Sequence, residues 1–76
     1  MPTIAEFDGI KICMYADDHA PPHFHVLQAE HEALVRISDL GILAGGLPRP
    51  TLRKAMAWAQ ENQPMLALRW LQMNEG

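Results

Sequence analysis

A chain of 76 residues, 49% apolar and with nine carboxylates against six lysines and arginines, holds one small domain with a thin core. Its net charge of -3 excludes a broadly basic nucleic-acid-binding surface, and its single cysteine, Cys13, excludes an internal disulfide and fits a reducing compartment. The amino terminus lacks a leader pattern and no apolar run approaches the ~20 residues that span a bilayer, so a cytoplasmic protein without a membrane partner is expected.

Taken in order, residues 3–7 read as a brief strand, and Asp8-Gly9 is a hairpin signal. Residues 10–15 alternate, with Ile10, Ile12 and Met14 on one face and Lys11, Cys13 and Tyr15 on the other. Residues 23–28 and 31–37 form the next two strands, turned at Ala29-Glu30. That turn pairs Phe24 and Val26 with Val35 and Ala33 on the core face. It sets His23, His25 and Leu27 opposite Arg36, Leu34 and Glu32 on the second face. Residues 40–43 suggest a last short strand before Gly45-Gly46. Thr51 is a candidate N-cap for a helix running to Gln60, with Leu52, Ala55, Met56 and Ala59 at helical spacing. Asn62-Gln63-Pro64 then breaks the pattern, and Pro64 suits the first position of a second helix over residues 65–73. The expectation is an α+β domain, 1–76: a small antiparallel sheet of three to five strands in residues 1–47, followed by a hairpin of two C-terminal helices in residues 48–76.

The charge is unevenly spread. Residues 1–48 carry seven carboxylates against Lys11 and Arg36, whereas residues 49–76 carry four cations against two carboxylates. Arg49, Arg53 and Lys54 lie at the start of the helical part, where the helix dipole disfavours cations unless an anion is near, so they are candidate anion contacts; a solvated face explains them as well.

Chemistry concentrates in Asp17-Asp18-His19-Ala20-Pro21-Pro22-His23-Phe24-His25, which holds three of the four histidines. The proline pair should make residues 20–22 a stiff, extended connector between an acidic arm and a histidine arm. His23 and His25, two apart on a strand, share one face about 6.5 to 7 Å apart along the chain. His19, His23 and His25 are therefore the candidate acid–base residues. The same three with Asp17 and Asp18 are candidate ligands for Zn2+, Ni2+ or Mn2+, since mixed N and O donors suit those ions. Ordinary turn chemistry and exposed strand histidines account for the same residues one at a time, and no metalloprotease or zinc-finger spacing is present. His31 falls on the core face, outside this group.

The opening Met1-Pro2-Thr3-Ile4 with Phe7 and Gly9, the Tyr15-x-Asp17-Asp18-His19-x-Pro21-Pro22-His23-Phe24-His25-Val26 segment, Leu43-x-Gly45-x-Leu47-Pro48, and Trp58 and Trp70 together resemble the small bacterial proteins grouped as domain of unknown function 4160. The turn at Gln28-Ala29-Glu30 departs from the family by lacking a glycine. The resemblance implies a short stand-alone protein, often encoded beside another small protein and suspected in toxin–antitoxin-type modules; it implies no catalytic residues. Two functions are expected. The first is a protein-binding component of a two-protein module, joined to a small partner or to itself through a sheet edge or the apolar end of the chain. The alternative is a histidine-dependent RNase or phosphodiesterase, metal-assisted or not, with RNA as its partner and Arg36 or Arg53 steadying phosphorane charge. DNA is not an expected partner, because the last helix is too apolar to read bases.

Overall fold

Alternation is strict enough in the first half of the chain that a sheet follows directly from it. The computed structural model describes residues 3–74. Met1 and Pro2, which open the segment carrying the resemblance, lie outside the described residues, as do Glu75 and Gly76. Strands β1 (Thr3–Phe7), β2 (Ile10–Cys13), β3 (His23–Gln28), β4 (His31–Arg36) and β5 (Ile42–Gly46) form one five-stranded antiparallel sheet in the order β1-β2-β3-β4-β5. Every neighbour in sequence is a neighbour in space, so short connections suffice. The expected register of the central hairpin is present, with Phe24 opposite Val35, Val26 opposite Ala33 and His25 opposite Leu34.

The turns explain the pairing. Asp8 and Gly9 both take positive φ (52° and 75°), the primed-turn conformation that matches strand twist. Ala29 also takes positive φ, 52°, a conformation that glycine would adopt at less cost. The last strand begins two residues later than expected and runs through Gly45-Gly46. Its start is displaced because Ile37 to Gly41 make a loop: Gly41 N–H donates to Asp39 Oδ1 at 2.9 Å, and Arg36 Nη1 donates to Asp39 Oδ2 at 2.8 Å. Gly45 then permits the β4–β5 approach, since its φ is 75° and a Cβ there would stand 2.1 Å from the Glu32 carbonyl oxygen.

One face of the sheet is covered by a single 25-residue helix, α1 (Arg49–Met73), and the expected hairpin of two helices is not formed. The break that Asn62-Gln63-Pro64 announces is real but only kinks the helix, at Asn62 (φ -121°, ψ 15°). Pro64 has no N–H to donate to the carbonyl four residues back, and at the kink the Asn62 side-chain amide donates to the Trp58 carbonyl at 2.8 Å. Gln63 Nε2 donates to the carbonyls of Ile37 and Ser38 at 2.6 and 3.0 Å, tying the kink to the end of β4. The chain does not reverse because Thr51, Ala55, Ala59, Leu66 and Trp70 form one buried stripe that both halves present to the same sheet.

Nor does Thr51 cap the helix. Pro48 is the N-cap residue, with Pro50 in the first turn where a missing N–H costs nothing. Thr51 is buried further in, and its hydroxyl donates to Gln28 Oε1. Ile10, Ile12, Met14, Phe24, Val26, Val35 and Leu66 are the largest fully buried side chains, each contributing about 1.5–3 kcal/mol of burial against the entropy of ordering it. With Thr51 on Gln28 and Trp70 beside His23, the helix runs along β3 from its last residue back to its first.

Candidate metal centre

The second face of the sheet carries the polar cluster. Its base is β3, where His23 and His25 share a face by strand alternation, and Cys13 and Leu34 flank His25 in the pairing. The rings stand 5.3 Å apart between centroids, tilted by 52°. Over them folds the connector between β2 and β3. It opens with a turn in which Asp18 N–H donates to the Tyr15 carbonyl at 3.3 Å. It is bent at residues 20 and 21, across a cis Ala20–Pro21 peptide bond, and not extended as the proline pair suggested.

The folded connector lays Asp18 onto both rings. Asp18 Oδ2 lies 3.1 Å from His23 Nε2 and 2.8 Å from His25 Nε2. One ligand atom from each of Asp18, His23 and His25 falls within 4.8 Å of the other two, the only such group of three among the described residues. Their side chains are 23%, 8% and 12% exposed, so the rings are nearly closed off and solvent reaches the cluster beside Asp18.

The outer nitrogens are held as well. His23 Nδ1 lies 2.8 Å from the Pro21 carbonyl oxygen, which can only accept, so Nδ1 carries the hydrogen. His25 Nδ1 lies 2.9 Å from Glu32 Oε2, also an acceptor when ionised. With hydrogen on Nδ1, each neutral ring turns the lone pair of Nε2 toward the Asp18 carboxylate. Three lone pairs then meet with no donor between them. A shared proton or one cation between these atoms removes that conflict. Carboxylate or carbonyl on Nδ1, with Nε2 left to ligate, is how metal-bound histidines are oriented in general.

The other expected site residues lie elsewhere. Asp17 and His19 are exposed and outside the converging group, because only one carboxylate of the Asp-Asp pair is turned inward by the connector. His31 stands near Glu30, at 3.7 Å. Arg49, Arg53 and Lys54 are exposed on the first turns of α1, at the Gln28 end of β3 and so remote from His23; Lys54 Nζ lies 3.6 Å from Asp8 Oδ2. Arg36 is paired with Asp39 at 2.8 Å.

Three neighbours escape a reading by sequence alone. Glu32 is on the expected face, and it joins the site as the diagonal partner of His25 in the register, within reach of a long side chain. Tyr15 meets the His25 ring edge-on at 4.7 Å. Partial burial, then the adjacent Cys13 thiol and the charges of Glu32 and Asp18, hold its phenol above the usual value, so it stays a protonated donor at neutral pH. Trp70 lies 5.3 Å from the His23 ring and walls the cluster on the helix side.

An α+β meander with one covering helix, carrying a His-His-Asp cluster on β3 beneath the β2–β3 connector, is the class of protein that the fold and site define. Residues 9–71 match the family described as "Domain of unknown function (DUF4160)", and the chain belongs to that family. Neither the curated proteins nor the solved structures provide a match to the chain. Among the described residues, no helix is long and apolar enough to cross a membrane.

Proposed function

We propose that this protein binds a divalent transition metal through Asp18, His23 and His25 and uses it for hydrolysis, with a phosphodiester such as RNA as the substrate class. The observation that carries the reading is the convergence of Asp18 Oδ2, His23 Nε2 and His25 Nε2 within 4.8 Å, with both Nδ1 atoms engaged by acceptors. Two imidazoles and a carboxylate form a donor set of zinc hydrolase type, and nickel and manganese accept the same atoms. Held by Asp18, His23 and His25, such an ion would supply Lewis-acid activation of water and of the phosphodiester.

The test is calorimetric titration of the chelator-stripped, untagged chain with Zn2+, Ni2+ and Mn2+, alongside elemental analysis of protein as purified. One ion per chain, lost in His25→Ala, supports the reading. A metal-free protein that takes up no ion refutes it. An RNA-cleavage assay with the loaded chain then decides the substrate class.

A second reading, a protein-binding component of a two-protein, toxin–antitoxin-type module, draws support from Leu68 and Leu71, which are 55% and 63% exposed one turn apart near the end of α1. Size-exclusion of the chain with the product of the adjacent gene tests it: co-elution lost on Leu71→Lys supports it, and separate elution refutes it.

A further inference from the structure

We infer that the centre formed by Asp18, His23 and His25 is open: it keeps a coordination position for a small exogenous anion, an oxyanion or hydroxide, and is not a closed structural clamp. This rests on the metal reading above and deepens it by naming the class of ligand that would share the ion with the protein.

The donor count carries the inference. Structural zinc sites are closed by four protein ligands, whereas three protein ligands leave a position for water or substrate. Three donors converge here, and Glu32, Asp17, His19 and Cys13 are each held away from them. Glu32 Oε2 lies 2.9 Å from His25 Nδ1, the nitrogen on the ring edge away from Nε2, so it cannot reach an ion bound at Nε2. Asp17 and His19 are exposed and outside the converging group. Cys13 is buried opposite His25 in the β2–β3 pairing, yet its sulfur is absent from the group and stands 4.0 Å from Thr3 Oγ1. The second oxygen of Asp18 belongs to the same carboxylate and can only chelate.

Access and charge point the same way. Asp18 is the most exposed of the three side chains at 23%, against 8% and 12% for the rings, so an approaching ligand meets the ion past Asp18. Two neutral imidazoles and one carboxylate leave a divalent ion with a formal charge of +1. A monoanion completes that charge, which is why hydroxide or a substrate oxyanion is the class of ligand expected.

Cobalt(II) reports its coordination in the visible spectrum, so the experiment loads the full chain with Co2+ and titrates first azide, then inorganic phosphate. The expected result is a saturable change in the d–d bands with one azide per cobalt, reversed by dialysis and retained in Cys13→Ser. Phosphate competing with azide identifies an oxyanion site. A spectrum that azide leaves unchanged, or a thiolate charge-transfer band that Cys13→Ser abolishes, shows a fourth protein ligand. Either result overturns the open centre while leaving the metal in place. Failure to take up cobalt overturns both readings.

Discussion

Asp18→Asn separates a metal centre from a proton-filled cluster, because the two occupants respond to the change in opposite ways. A ligand that binds only the folded chain stabilises it by about 2.7 kcal/mol when its free concentration is about 100 times the dissociation constant. For 76 residues the unfolding entropy is about 0.16 kcal/mol/K, so metal should raise the melting midpoint of the native chain by about 17 °C. Replacing the one charged ligand, whose Oδ2 lies 2.8 and 3.1 Å from the two Nε2 atoms, should weaken binding at least about 100-fold, by analogy with the 10–100-fold losses from altering outer partners. At the same metal concentration about 0.4 kcal/mol then remains, a shift of about 2–3 °C.

Without metal the order changes. The side-chain amide that Asp18→Asn introduces can donate to an Nε2 lone pair, so the chelated variant should melt within about 1 kcal/mol of the chelated native chain. Thermal unfolding followed by circular dichroism, with metal and with chelator, gives all four midpoints. A metal shift that survives in Asp18→Asn places the ion elsewhere. A chelated variant weakened by about 3–5 kcal/mol instead identifies a buried ion pair between Asp18 and protonated histidines, and refutes the lone-pair argument.

Glu32→Gln should lower metal affinity about 10–100-fold by loosening the His25 ring, with little change in the melting point of the chelated chain; calorimetry reads the first and circular dichroism the second. Gly45→Ala should cost about 2–4 kcal/mol in urea unfolding, because it combines a φ of 75° with a Cβ 2.1 Å from the Glu32 carbonyl oxygen. Leu66→Ala, at a fully buried position, should cost about 2–5 kcal/mol in the same assay. The Gly41 N–H, aided by Arg36, holds the Asp39 carboxyl below its usual value; its contribution is therefore complete above the unfolded value and fades as pH falls through the lower folded one. Asp39→Asn should remove that acid-side loss, and an NMR titration of Asp39 with a midpoint at or above 3.8 would contradict the assignment.

The second to fourth strands are legible in the sequence because their core-facing residues recur at every second position, even with Cys13, Leu27 and Leu34 on the other face, which leaves a single register for Phe24, Val26, Ala33 and Val35. The site is legible as a neighbourhood. His23 and His25 follow from alternation alone, but the choice of Asp18 over Asp17 depends on a turn at Tyr15 and a bend at Pro21 that local sequence does not specify. Glu32 comes within reach of the same register once diagonal pairs are counted along with direct ones.

The helix departs from expectation because a local signal and a long-range one disagree. Pro64 and Asn62 read as a stop and a fresh start, and the structure honours them with a kink and a side-chain cap. Yet Thr51, Ala55, Ala59, Leu66 and Trp70 recur at spacings of 4, 4, 7 and 4, all near whole turns, so the apolar stripe passes through the break on one face. Burial of that stripe outweighs the lost backbone bond, and the functional consequence is at its far end. Only a helix that continues past Asn62 carries Trp70 back along β3 to stand 5.3 Å from His23. A chain that reversed at Pro64 would have to bring its Leu66 and Trp70 back toward the Gln28 end of the sheet, leaving the His23 ring without its apolar wall. The kinked helix and the histidine cluster are thus one design: the core stripe that fixes the helix also brings Trp70 against the His23 ring.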